Sequence, residues 1–176
     1  VSTGGSQCMA NAMAGIAYSF IEGIGSWSTE TLNEILFCGI TFYNKILTDR
    51  QAMLPKENPY LLLEDIPTDF YLNQHYFQWK KAYQAYGQIG RGGPNVCPLE
   101  EKMAEMFEKC DSGILLIKDN ACAVMRRGNR YHIFDPHARS KEGMCQCDGK
   151  CCLATFESYD NLIDFIKELT WSLYKT

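Results

Sequence analysis

Residues 113–137 read GILLIKDNACAVMRRGNRYHIFDPH, and this stretch decides the fold. Gly113–Lys118 is an unbroken apolar run bounded by Asp119-Asn120, which reads as a buried strand followed by a turn. Ala121–Arg126 is the next strand, and Gly128-Asn129 is a second turn signal. Arg130–His137 then returns as a third strand, and Cys152–Phe156 adds a fourth. Short apolar segments joined by tight turns predict an antiparallel meander, because parallel pairs need long crossovers.

Outward from the meander the period changes from two to 3.6. Residues 6–22 predict a helix with Ser6 as N-cap, an apolar face of Met9, Met13, Ile16, Ala17 and Phe20, and an end at Gly23 and Gly25. A second helix is expected over Thr29–Leu47, capped by Ser28, with Leu32, Ile35, Leu36, Ile40, Tyr43 and Leu47 turned inward. Residues 48–72 contain Pro55, Pro59 and Pro67 and read as loop. Residues 73–90 are aromatic-rich and read as strand, and Ile89–Asn95 reads as loop. Pro98 opens a helix to Cys110, with Leu99, Met103, Met106, Phe107 and Cys110 on one face. Ser158–Leu173 closes the chain as a helix with Leu162, Ile163, Ile166, Leu169 and Leu173 inward. Helices first, a meander, then a helix predict an α+β fold with N-terminal helices packed on a mostly antiparallel sheet.

The chain has 176 residues, 46% of them hydrophobic, which suits one domain spanning 1–176 with a substantial core. It lacks an initiating Met and is expected to be cut from a longer protein. A net charge of −4, from 17 basic and 21 acidic residues, argues against a nucleic-acid partner. No apolar run reaches the roughly 20 residues that span a bilayer, so no membrane partner is expected, and a monomer is. Nine cysteines cannot all pair within one chain, which points to a reducing compartment, cytosol or nucleus.

Two segments carry candidate chemistry. Gly4-Gly5-Ser6-Gln7-Cys8 places a thiol in the first turn of the first helix. Unpaired N–H groups and the positive end of the macrodipole favour thiolate there. The two glycines let an extended backbone come close, and Ala12 and Gly15 keep the same helical row small. The plain alternative is a buried helical thiol beside a loose terminus. In Tyr131–His137, residues two apart share a face, so Asp135 can accept the His137 Nδ1–H and stabilise imidazolium. Pro136 removes a donor between them, which predicts a strand end or an edge. The plain alternative is a surface histidine in an Asp-Pro turn. Together the segments supply nucleophile, base and orienter. His132 points to the opposite face, and His75 has no carboxylate at strand spacing.

The Gly5-Ser6-Gln7-Cys8-Met9-x-Asn11 and Phe134-Asp135-Pro136-His137 blocks resemble the two signatures of the deubiquitinase domain of herpesvirus large tegument proteins, and of the wider viral-tegument-like deubiquitinases. The resemblance implies a papain-like fold and thiol-dependent cleavage after the C-terminal glycine of ubiquitin. It implies Cys8 as nucleophile, His137 as general base and acid, and Asp135 as orienter, with no cofactor. The resemblance also implies an upstream polar side chain, often Gln, in the oxyanion hole. That position would fall before Val1, which leaves Gln7 and the Cys8 N–H as local candidates. The implied partner is ubiquitin or polyubiquitin, its tail threading a channel at Gly4 and Gly5, its arginines met by acidic residues among Glu64, Asp65, Asp69, Glu100 and Glu101. Cytosol, nucleus, or host cytosol for a viral or bacterial effector all fit. The alternatives are a protease for another ubiquitin-like modifier and a non-catalytic ubiquitin-binding module.

Cys145, Cys147, Cys151 and Cys152 flank a hairpin signal, Asp148-Gly149, that would gather four thiols. Zinc is the lesser reading, because C-x-C-x3-C-C is not a pair of C-x2-C knuckles. A redox-sensitive loop or an inserted segment is preferred.

Overall fold

The structure is a computed structural model that describes residues 6–53, 60–87 and 98–175. In chain order its elements are α1 (Cys8–Tyr18), α2 (Thr29–Met53), β1 (Asp69–Leu72), β2 (His75–Gln78), α3 (Leu99–Lys109), β3 (Ser112–Ile117), β4 (Asn120–Arg127), β5 (Arg130–Arg139), β6 (Lys150–Phe156) and α4 (Tyr159–Tyr174). β3, β4, β5 and β6 form one antiparallel sheet in sequence order, and β1 and β2 form a separate hairpin. The α+β reading and the meander are therefore both observed.

Alternation along β4 and β5 splits the core into two layers. Ala121, Ala123, Met125 and Phe134 face α1, α2 and the β1–β2 hairpin. Cys122, Val124 and Ile133 face α3 and α4, meeting Phe107, Leu162, Ile166 and Leu169. The hairpin docks on α2 through Phe70, whose ring lies 4.6 Å from that of Phe42. α1 is buried on nearly every side, with Ala10, Ala12 and Ala14 at no exposure at all, and lies between α2 and the sheet.

Several expectations need correction. α1 ends at Tyr18, not at Gly23, because the Ser19 hydroxyl bonds back to the Ile16 carbonyl at 2.6 Å and closes the last turn. Phe20 is thereby outside the helix and exposed, with the Arg127 guanidinium over its ring. Ser6 does not cap α1. Gln7 occupies the N-cap position without a side-chain cap, and the Ser6 hydroxyl accepts from Tyr43 at 3.2 Å. α2 runs on to Met53, since no proline interrupts it before Pro55. Ile35 and Tyr43 are buried as expected and Leu32, Leu36 and Leu47 pack against the core, joined by Thr31, Gly39, Phe42 and Ile46, but Ile40 is exposed. Part of the presumed loop is β1. Of the described residues 73–87 only His75–Gln78 is strand, and Ile89–Asn95 lies outside the described residues. The β3–β4 turn is Lys118–Asp119, both with positive φ, one residue earlier than expected. Pro136 sits inside β5, a central strand, but past its last pair with β4 (Ala123–Phe134), and a register shift against β6 between Asp135 and Arg139 accommodates the missing donor. The Ser28 and Ser158 caps are present, each hydroxyl accepting an N–H three residues on.

Candidate active site

α1 inserts against β4 and β5 with Cys8 as its first helical residue, buried beside Ala121. The N–H groups of Ala121 and Met9 and the His137 ring all favour the Cys8 thiolate, and the sulfur lies 3.8 Å from the Asp119 carbonyl oxygen. Burial alone would push the thiol up. The His137 contact and the two N–H groups outweigh it and bring the thiol below its ordinary 9.0. The helix terminus acts here through a specific N–H, that of Met9, rather than through a Ser6 cap.

His137 and Asp135 meet as the two-residue spacing predicts. Asp135 Oδ1 accepts from the His137 ring at Nδ1, 2.6 Å away, and from the His137 backbone N–H at 3.1 Å. With Nδ1 so engaged, Nε2 is the free ring position. It is buried and makes no hydrogen bond, and it is the ring position left to act on the sulfur. Burial works against imidazolium, but the Asp135 and Cys8 contacts overcome it and raise His137 to about 8. Asp135 is 1% exposed, and burial pushes its carboxyl up. The His137 bond and the Arg139 charge hold it below its ordinary value nonetheless. The set can store a thiolate–imidazolium pair and deliver the ring proton to a leaving group at the sulfur.

Arg139 was missed by the sequence reading. It is buried, and its Nε donates to the second carboxylate oxygen, Asp135 Oδ2, at 2.7 Å. The available signal was period two: Asp135, His137 and Arg139 form one alternating row. The other histidines are elsewhere. His132 is buried against the Thr155 hydroxyl at 2.9 Å, and His75 is exposed.

Gly4 and Gly5, the channel candidates, lie outside the described residues, as does Cys97. Gln7 is at the α1 N-cap, its carbonyl accepting the Asn11 N–H at 2.9 Å. Of the acidic candidates, Asp65 binds the Leu62 N–H and Arg50, and Asp69 accepts from Tyr76. Glu100 pairs with Lys167 of α4, in the layer away from Cys8, and Glu101 is on the same helix. Glu64 is exposed. The four clustered thiols do not converge. Cys145 bridges to Arg139, Cys147 is exposed, and Cys151 and Cys152 are successive residues of β6. Among the described residues no three His, Cys, Asp or Glu side chains gather in a way that could hold a metal ion.

The layered arrangement, with a thiol on the first helix and a histidine on a late antiparallel strand, is a papain-like fold. It matches the ubiquitin-specific protease encoded by murine cytomegalovirus tegument protein M48, solved in complex with a ubiquitin-based suicide substrate. The TM-score is 0.68 at 16% identity, over 94% of this chain and 72% of that one. The chain belongs to the family described as the N-terminal conserved region of herpesvirus tegument proteins, whose model matches residues 2–175. No curated protein matches it in sequence.

Proposed function

We propose that this domain is a deubiquitinating cysteine protease that cleaves isopeptide or peptide bonds after the C-terminal glycine of ubiquitin. The observation that carries this reading is the buried, unbonded Nε2 of His137, in a ring whose Nδ1 is held by Asp135 and whose proton is coupled to Cys8. The ubiquitin-based substrate bound by the M48 protease supports the choice of substrate.

In this reading the Cys8 thiolate attacks the carbonyl carbon of the terminal glycine. The carbonyl oxygen becomes an oxyanion facing the Cys8 N–H, with Gln7 as the side-chain donor. The His137 imidazolium gives its Nε2 proton to the departing lysine amine, and the bond to that amine breaks as the thioester forms. Neutral His137 then takes a proton from water, which attacks the thioester and releases Cys8 as thiolate. Asp135 remains ionised throughout and stabilises each imidazolium stage. A reducing setting, cytosol or nucleus, keeps Cys8 available; all the described cysteines are free thiols.

The test is incubation with ubiquitin carrying an electrophilic C-terminal warhead, comparing wild type with Cys8→Ala by intact mass. One added ubiquitin on wild type and none on the variant is expected. A wild type that stays unmodified by ubiquitin but captures another ubiquitin-like probe would overturn the choice of substrate.

A further inference from the structure

Arg139 is 4% exposed, and its three guanidinium nitrogens are all engaged. Nε donates to Asp135 Oδ2 at 2.7 Å, Nη2 to Asn120 Oδ1 at 3.3 Å, and Nη1 to the Ala138 carbonyl at 3.2 Å. Its backbone is held on both sides, by Cys145 and by Lys150, and Gly149 passes so close that a Cβ there would overlap it. A fork fixed at every nitrogen is a rigid donor, and Asp135 is the acid it meets.

The division of labour at Asp135 follows from the two oxygens. Oδ1 takes both His137 contacts and Oδ2 takes Arg139. Among the described residues, His137 and Arg139 are the cationic side chains bonded to Asp135. When His137 is neutral, as it must be to activate water, Arg139 is the remaining counter-charge for a carboxylate that is almost wholly buried.

We propose that Arg139 is a positioning residue that fixes the Asp135 carboxylate in orientation and charge, and through it sets the ionisation of the Cys8–His137 pair. The inference rests on the triad reading above. The groups that face this cluster are Cys8 from α1, Cys122 from β4, His137 and Arg139 from β5, and Cys151 and Cys152 from β6. Arg139 is the permanent cation among them. Removing it favours the protonated form of every remaining member. Asp135 takes a proton more readily, Cys8 gives up its proton less readily, and imidazolium persists to higher pH.

The experiment measures the rate of Cys8 alkylation by iodoacetamide against pH, read from the mass of the Cys8 peptide, alongside the pH profile of kcat/KM on a fluorogenic ubiquitin C-terminal amide. Alkylation needs no ubiquitin, so it reports on Arg139 even if the ubiquitin reading fails; silence on the ubiquitin amide by wild type would count against that reading alone. In Arg139→Gln both limbs should move to higher pH, by about 1 unit, and kcat should fall ~10–100-fold with KM little changed. Limbs that stay in place while the amplitude falls uniformly would overturn the proposal, because a merely structural residue changes how much protein is active and not its ionisation. Arg139→Lys is the second variant, and it decides the matter should Arg139→Gln not fold. It keeps the charge but not the fork, so its limbs should stay near wild type while its maximum drops about tenfold; an undiminished maximum would overturn the positioning role.

Discussion

The ring of Phe134 lies against the bare backbone of Gly15, on the same row of α1 that carries Cys8 and Ala12. A Cβ at residue 15 would overlap that ring, which is fully buried and is further packed edge-on by Trp27 at 6.1 Å. Phe134 immediately precedes Asp135, so the closeness of α1 to the sheet and the closeness of Cys8 to His137 are one packing fact. Gly15→Ala would gain up to about 1 kcal/mol of helix propensity but should lose ~1–3 kcal/mol to overpacking. Urea denaturation should show a net loss, and Phe134→Leu in the same chain should recover part of it. Additive effects of the two substitutions would contradict the contact.

Asp135→Asn keeps the shape of the side chain and removes its charge. The Nδ1–H of His137 then loses a carboxylate acceptor, and Arg139 is left as a buried cation without a counter-ion. Turnover of a ubiquitin amide should fall ~10²–10⁴-fold, and the melting temperature should fall with it. A variant that melts lower yet turns over normally would show that Asp135 serves the fold and not the chemistry.

The protonation directions define a working window. Cys8 is held below its ordinary 9.0 and His137 is raised to about 8, so each shift favours the thiolate–imidazolium pair over the neutral thiol and ring. Activity should therefore be bell-shaped, with an alkaline limb near 8 as the ring proton needed by the leaving amine is lost. For stability the sign is set by His137 being raised in the folded state. Its contribution is complete below the ordinary 6.5 and disappears as pH rises through about 8. Thermal melts across this range should show stability falling in the same interval as the alkaline activity limb. In Asp135→Asn both changes should shift to lower pH; an alkaline limb that stays in place would assign it to another group.

The meander was legible because β-strands announce themselves locally. Gly128 takes the positive φ its turn requires, and Val124 and Ile133 alternate as a two-sided sheet demands. α4 was legible for the same reason, with Ser158 capping a clean apolar stripe. Asp135 and His137 could be paired on paper because their contact spans two residues. What escaped was decided by distant partners. β1 is a strand because Phe70 finds Phe42 and Phe77, which nothing in the proline-bearing segment around it signals. Ser6 has the right chemistry for a cap but is claimed by Tyr43, 37 residues away. Cys145 looked like one arm of a hairpin opposite Cys151, yet it bridges to Arg139. The bulge that admits Pro136 also brings Arg139 to the carboxylate, and a bulge is a property of two strands in register.

Gly149 and Gly128 separate the demands of the site from those of the fold. Gly128 has φ of 59° and open space where a Cβ would go, at the end of the sheet away from Cys8. Gly128→Ala should cost about 1 kcal/mol or more through backbone strain and leave the pH dependence of Cys8 alkylation unchanged. A Cβ on Gly149 would instead strike the backbone N, C and O of Arg139. No side-chain rotation relieves that contact, so the Arg139–Lys150 pairing must open and carry the guanidinium away from Asp135 Oδ2. Gly149→Ala should lose ~1–3 kcal/mol of stability and move the alkylation limbs in the same direction as Arg139→Gln. Alkylation profiles for the two glycine variants, run beside the wild type, decide it: limbs that move for Gly149→Ala and not for Gly128→Ala tie the Gly149 contact to the ionisation of Cys8, and limbs unmoved in both would leave Gly149 with a packing role only.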